Sequence, residues 1–553
     1  MALSLVNLCA REVVSDHGSS LCWLRWVPRE LYGALLQAAF SGCRPLAVGE
    51  LVHRWPERSL RVGGPWKPGQ RAPNRLCIQA LLLAVVKGLT DPRCALRILD
   101  LCGLQGDEGS MGDPMGGWSL TVALCNMVVQ ARAGAQKREG ERERKRFSAL
   151  ERDKDVKRER GKRREVDCDE GESKEIIMDD KEKSEEEMMK GVRRRMEMER
   201  RTGAPVIMVE ESREEKEGED LDSGVLVHVR ADLFVSARSW ERVRVALSST
   251  GPLKLQCRFL RVEEISVSSI KTLLGLLPHQ VLLGVDVRYS NLGVSGLAQL
   301  LPLLSTFPHL HSLRLHYCNL DFHREDTGQS EALRELSQGL SQLKRLKCLS
   351  LTALRLPGHL RVLLSSLPRP LEVLEVPYLR LSPSDLAYLS CSHHASSLQQ
   401  LDLSENRMDG GTMICMRRLL SNASATLQHL SLSGCGLTDD LLALLKPSLG
   451  SCSALKSLAF ALNPLSMAGV LDLVRMAVKM PSLKQLLYPN PLEDYQAGLP
   501  DLPSSAQLLD WPLDESTDTS ATSSQLNQVL IDSGRSDLML TCDLLNYDKD
   551  LLD

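Results

Sequence analysis

From Leu398 onward the apolar positions repeat one figure: Leu398, Leu401 and Leu403, then Asn406, then Met408. The same spacing returns at Leu427, Leu430, Leu432, Cys435 and Leu437, and again at Leu455, Leu458, Phe460, Asn463 and Leu465. Upstream it is carried by Leu371/Leu374/Val376/Leu381, Leu346/Leu349/Leu351/Leu356, Leu310/Leu313/Leu315/Cys318/Leu320 and Leu282/Val285/Val287/Leu292. Apolar residues two apart predict a short strand with one buried face, because neighbouring side chains on a strand point to opposite sides. The figure starts at 282, 310, 346, 371, 398, 427 and 455, with a weaker copy at 483, so most steps lie near 28 residues and one is 36. That length leaves room for a helix after each strand, and Leu441-Leu442-Ala443-Leu444-Leu445 suits one.

This figure at this period is the leucine-rich-repeat template. It predicts an α/β solenoid with ribonuclease-inhibitor-like repeats, a horseshoe with parallel strands inside and helices outside. Asn406, Cys435 and Asn463, at the ninth place of their repeats, are expected to satisfy backbone groups where the chain leaves the strand, and neither Cys435 nor Cys318 is expected to be reactive. The 36-residue step contains the polar stretch His323–Ser330, expected to project as a loop. Residues flanking the strand leucines should line the concave face: Asp286, Arg288, Arg314, His316, Glu375, Asp402 and Ser404, together with Ser350, Thr352, Ser431 and Ser433. A polar surface of changing sign on a solenoid reads as a site for a protein target.

The repeats occupy 224–500 of the 553 residues, followed by a C-terminal cap over 501–553. Residues 46–133 read as a helical cap region, its short helices interrupted by Pro56, Gly63-Gly64-Pro65 and Pro68. Composition changes abruptly over 134–223: residues 137–220 hold 25 Lys and Arg and 28 Asp and Glu. So few apolar groups cannot offset the entropy of ordering, so a disordered charged insert is expected, with transient helix where Glu and Arg fall four apart. Its densest basic cluster, Lys157–Arg164, reads as a solvated linker, with a nuclear-import or nucleic-acid patch as the alternative. Net charge is −3 and the remainder of the chain is neutral, so no bulk field draws nucleic acid or membrane.

No phosphate-binding glycine loop, His-Glu-x-x-His helix or Gly-x-Ser-x-Gly elbow is present, so the reading is non-enzymatic, without catalytic residues, cofactor or metal. His393-His394 and Asp167-Cys168-Asp169 lack ligand spacing and read as ordinary surface residues. Sixteen scattered Cys without paired spacing, no signal pattern at the N-terminus and no apolar run long enough for a membrane predict a cytoplasmic protein with free thiols, the nucleus being the alternative.

Leu5, Cys9 and Val13 share one stripe of a predicted helix within Ser4-Leu5-Val6-Asn7-Leu8-Cys9-Ala10-Arg11-Glu12-Val13. The spacing resembles the elongin-C-binding box, Ser/Thr-Leu-x-x-x-Cys-x-x-x-aliphatic. Val27, Pro28, Leu31 and Leu35 in the stretch Val27–Phe40 resemble the cullin-2 box that follows it in cullin-2 substrate receptors, so residues 1–45 form a paired box region. With Glu50-Leu51-Val52-His53-Arg54-Trp55-Pro56, Leu313-Arg314-Leu315-His316-Tyr317, Asn463-Pro464-Leu465-Ser466-Met467-Ala468-Gly469 and Ser533-Gly534-Arg535, nearly the whole chain outside 134–223 is similar to the PRAME family. The resemblance implies a substrate adaptor: the boxes recruit elongin B/C and cullin-2, the cullin brings its RING subunit, and the repeats hold a target for ubiquitin transfer. For one branch of the family it also implies binding of IκB kinase β and damping of NF-κB signalling. The alternative is a plain leucine-rich-repeat scaffold.

Overall fold

The computed structural model describes residues 5–15, 24, 26–62, 74–91, 93–104, 119–165, 225–320, 329–354, 357–514 and 519–544. The chain divides into a unit formed by Met1–Ala133 with Gly224–Asp553, and a second unit, Gly134–Ser223.

The first unit is an open solenoid around one parallel sheet. Its strands are β1 (Ser59–Arg61), β2 (Ile98–Asp100), β3 (Val227–Ser236), β4 (Leu253–Glu263), β5 (Gly284–Arg288), β6 (Ser312–His316) and β7 (Cys348–Thr352). They continue through β8 (Val373–Glu375), β9 (Gln400–Asp402), β10 (His429–Ser431), β11 (Ser457–Ala459), β12 (Gln485–Leu487) and β13 (Met539–Thr541). The thirteen strands lie in sequence order, each hydrogen-bonded to the next. Register is set by the inner apolar residue of each copy: Leu260, Val285, Leu313, Leu349, Leu374, Leu401, Leu430, Leu458, Leu486 and Leu540 stand opposite one another in turn. All but Leu540 are buried, and the helices between strands bury their own stripes, such as Leu442, Leu445 and Leu449, against the same core.

Two boundaries differ from the sequence expectation. The sheet starts inside residues 46–133, where β1 and β2 flank the helix Arg75–Gly88, and it ends inside the C-terminal cap at β13. Leu96, Leu99, Leu101 and Leu104, all buried, hold the first, fourth, sixth and ninth places of the repeat figure there. β2 then pairs directly with β3, so everything between Asp100 and Val227 is inserted between adjacent strands.

Within the expected disordered segment, residues up to Glu165 are helical, as part of one helix Leu120–Glu165. In the first unit this helix buries Leu120, Leu124, Cys125, Met127, Val128 and Ala131. From Gly134 it belongs to the second unit, where spacings such as Lys137/Glu141 and Glu141/Lys145 put opposite charges one turn apart and favour helix over coil. The remainder of the expected disorder, 166–223, and most of the expected loop, 321–328, lie outside the described residues.

The ninth-position side chains tie repeats together. Asn463 Nδ2 donates to the carbonyls of Leu432 (2.8 Å) and Phe460 (2.8 Å), while its Oδ1 accepts from the Leu437 amide at 2.9 Å. Asn406 does the same for Val376 O, Leu403 O and the Leu381 amide. The Cys435 thiol donates to Leu403 O at 3.3 Å, and burial raises its pKa, which suits a structural thiol. Cys318, bonded to Val287 O, is pushed up to about 12 by burial. At the C-terminal end the Arg535 guanidinium reaches the carbonyls of Val478, Met480 and Leu483, closing the last helix turn against the cap.

Replacing Asn463 by Leu leaves the Leu437 amide and two carbonyls buried without partners. Unmet groups of this kind cost about 1–3 kcal/mol each, so denaturant unfolding should show a loss of about 3 kcal/mol or more. A loss below about 1 kcal/mol would mean that the ladder is not what holds adjacent repeats.

Candidate interaction surfaces

Among the described residues, the N-terminal box region contains the helices α1 (Leu5–Ser15) and α2 (Tyr32–Ser41), and α3 (Pro45–His53) follows it. α1 turns Ala10 and Val14 inward, buried against the core, and its opposite stripe outward. Leu5 is 76% exposed, Val13 43%, and Cys9 is exposed as well. Leu8, Trp26, Leu31 and Leu46 are also exposed, giving the first fifty residues an unusual share of uncovered large apolar side chains. In the second box Pro28 and Leu31 are exposed and Val27 is half-buried against the core. Leu35 must be corrected: it is buried, because Tyr32, Leu35, Leu36 and Ala39 share the inward stripe of α2 and cannot face a partner.

On the concave face the sequence-derived residues come together as expected from the strand alternation. Asp286 and Arg288 pair at 2.8 Å on β5, and Arg261 and Glu263 repeat the arrangement at 2.6 Å on β4. Arg314 and His316 follow on β6, in register with Asp286 and Arg288. His316 Nδ1 lies 2.8 Å from Thr352 Oγ1, whereas its Nε2 stands 3.8 Å from Asp286 Oδ1, too far for a hydrogen bond. Burial lowers the pKa of His316 below the ordinary imidazole value, so it is neutral near pH 7. Glu375 accepts from Gln400 Nε2 at 2.7 Å; Asp402 accepts from Ser404 Oγ at 2.5 Å, and Ser404 reaches Ser431. Ser350, Thr352 and Ser431, also expected on this face, are buried beneath their neighbours.

The character of the face changes toward β11 and β12. There the same row holds Ala459 and Leu487, which with Ala461 are only 2% exposed and form a small apolar cluster of their own. The chain after β12 runs back along this end: the Leu492 amide donates to Leu465 O, and Ser505 Oγ donates to Glu405 Oε2 at 2.6 Å. Burial raises the Glu405 carboxyl pKa while the Ser505 bond lowers it. Beside it, a side chain at Gly434 would need the Glu405 carboxylate to move aside.

Sequence reasoning missed the rim of the face, where Tyr289, Tyr317 and Tyr378 are exposed at the eighth place of their repeats. Their constant offset from the first Leu of each copy was the available signal. The surface reading of His394 is also corrected. It is fully buried, its Nδ1 accepting from the Leu371 amide at 3.1 Å and its Nε2 standing 3.0 Å from Leu364 O. Among the described residues no group of three or more His, Cys, Asp or Glu could hold a metal, and no helix is long and apolar enough to cross a membrane.

An in-register parallel solenoid with helices on its outer side and a polar inner face defines a leucine-rich-repeat protein. Residues 239–500 match the PRAME C-terminal domain. Over 98% of its length the chain is 34% identical to leucine-rich repeat-containing protein 14 of Xenopus laevis and 30% identical to that of Homo sapiens, covering 97% of each. The chain therefore belongs to the leucine-rich repeat-containing protein 14 family, within the PRAME group. A solved leucine-rich-repeat protein, LegL7 of Legionella pneumophila, is a loose likeness at a TM-score of 0.31 and 16% identity, covering 56% of this chain and 92% of its own.

Burial lowers the pKa of His394, so the unfolded chain takes up a proton near pH 6.5 that the folded chain refuses. Its contribution is therefore full above that pH and lost as pH falls below it. Glu405 and Asp494, both raised by burial, act in the opposite sense, so the difference between variants is the measurable quantity. His394→Gln should lose less melting temperature than the parent between pH 7.5 and pH 5.5; an equal or larger loss would assign the acid sensitivity elsewhere.

Proposed function

We propose that this protein is a substrate-recognition adaptor of a cullin-2/elongin B/C ubiquitin ligase that holds a target protein on its concave face. The observation that carries the reading is the outward stripe of α1. A helix of eleven residues that spends Ala10 and Val14 on its own fold leaves Leu5, Cys9 and Val13 uncovered at the spacing of the elongin box. Burial in a partner pocket is the natural destination of a large exposed Leu flanked by a small Cys, since each such anchor contributes through removal of apolar surface from water. Val27, Pro28 and Leu31 then form the cullin-facing edge; Leu35 takes no part. Catalysis belongs to the RING subunit and its conjugating enzyme, and the adaptor works in the cytoplasm.

Asp286, Arg288, Arg314, His316, Glu375, Asp402 and Ser404 form the target surface in this reading. IκB kinase β is the target we favour, from the family resemblance, with damped NF-κB signalling as the outcome.

Leu5→Ala with Cys9→Ala should weaken elongin C binding by about 2 kcal/mol or more while leaving the melting temperature nearly unchanged, since both side chains are exposed. Pro28→Ala with Leu31→Ala should release cullin-2 and keep elongin. Co-purification from cells with the folded variants decides this. Undiminished elongin C in the Leu5/Cys9 variant would leave the chain a plain scaffold.

A further inference from the structure

Where the strands β4 to β11 end, one residue per repeat turns through a left-handed backbone. The series is Glu264 (φ 53°), Tyr289 (48°), Tyr317 (53°), Ala353 (55°), Tyr378 (58°), Glu405 (60°), Gly434 (66°) and Leu462 (56°). Large side chains are uncommon in this region of backbone space. Three tyrosines nevertheless occupy it, 56%, 47% and 52% exposed, so burial in the core does not account for them.

Tyr289 and Tyr317, on adjacent repeats, stack with ring centroids 5.1 Å apart and planes within 10°. Ala353 comes next in the series, then Tyr378. The aromatic ladder is therefore short of one ring. Two strand spacings of about 4.8 Å separate Tyr317 from Tyr378, which leaves room for one flat group at the step already seen between Tyr289 and Tyr317. On the Tyr378 side, Glu375 and Asp402 stand opposite each other on β8 and β9, and Glu405 follows at the rim. Burial first, then the negative charges of Glu405, Tyr317 and Asp402, hold the Tyr378 phenol above its usual pKa, as expected if these groups face one another. Arg314 lies on β6 and Arg380 follows Tyr378 by two residues.

We propose that the slot over Ala353, between Tyr317 and Tyr378, receives an arginine side chain of a partner protein. A guanidinium is flat, so it stacks against both phenol faces, and its charge is drawn to the ring faces and to the carboxylates beside them. An ammonium matches the charge without the plane, and a neutral ring matches the plane without the charge. This deepens the target-binding reading and rests on the concave side being the target face; it is independent of elongin binding.

The test uses the full-length chain carrying 3-fluorotyrosine, its signals assigned by single Tyr→Phe changes. Acetyl-Gly-Arg-Gly-amide is titrated at low salt beside the lysine, citrulline and phenylalanine versions. The arginine peptide should move the Tyr317 and Tyr378 signals and bind about threefold or more tighter than the citrulline and phenylalanine peptides. Ala353→Tyr should abolish this binding yet melt like the parent, because the same backbone angle already carries Tyr in three other repeats. Glu375→Gln should weaken it, and Tyr378→Leu should remove it should Ala353→Tyr fail to fold. Unmoved signals with the arginine peptide, equal binding of the phenylalanine peptide, or parent-like binding by folded Ala353→Tyr each overturn the proposal. Elongin C retention, measured on the same variants, stays at the parent level throughout, so failure here is distinguishable from failure of the adaptor reading.

Discussion

One constraint governs this protein: each strand must pair in register with the next while its inner leucine enters the common core. A slip of a single residue would turn the leucines to water and the charged residues inward. Because Leu260, Val285, Leu313, Leu349, Leu374, Leu401, Leu430, Leu458 and Leu486 stand in one line, every other position of the repeat is also drawn into a line. The ion pairs of the inner face, the asparagine ladder and the left-handed rim are each one such row. Function in this molecule is therefore written along rows that run across the chain rather than in segments along it.

This explains what could be read in the sequence. The repeats from Leu282 onward were legible because the figure returns at an almost constant step, and the alternation of strand side chains then placed Asp286, Arg314 and Asp402 on the open face. β1 and β2 were not legible, since the copy at Leu96–Leu104 has Leu at its ninth place and is cut off from the rest by more than a hundred inserted residues. β3 and β4 were hidden for another reason. They are ten and eleven residues long with a register shift between Ala231 and Leu233, so their alternating apolar residues do not resemble the short figure of the later repeats.

The candidate sites show the same division. The outward stripe of α1 follows from helical spacing alone, and so does the burial of Leu35, since Tyr32, Leu35, Leu36 and Ala39 fall on one face. His394 could not be placed that way: adjacency to His393 gives no preference for inside or outside, and its burial is decided by two backbone groups from other repeats, Leu371 and Leu364. The helix through the first part of the charged segment was expected only as transient, because its charge spacing was weighed without the anchored turns that precede it. An isolated helix is marginal. This one continues a segment whose first turns are already anchored by buried Leu124 and Val128, so its nucleation cost is met before the charged residues begin.

The inner face is divided by the chain itself. From β4 to β9 its rows hold Arg261, Glu263, Asp286, Arg288, Arg314, His316, Glu375 and Asp402, polar groups that remain partly open. From β11 the same rows hold Ala459, Ala461 and Leu487, small or apolar side chains almost without exposure. Had these been charged, the returning segment after β12 would have to strip water from them without supplying partners. Small apolar residues let it lie close. The bond from Ser505 to Glu405 marks how far that return extends, since Glu405 is the last acidic residue of the rim before the series turns to Gly434 and Leu462. The stretch left open is thus bounded on the C-terminal side by the protein's own chain, and the polar rows and the tyrosine rim both lie within it.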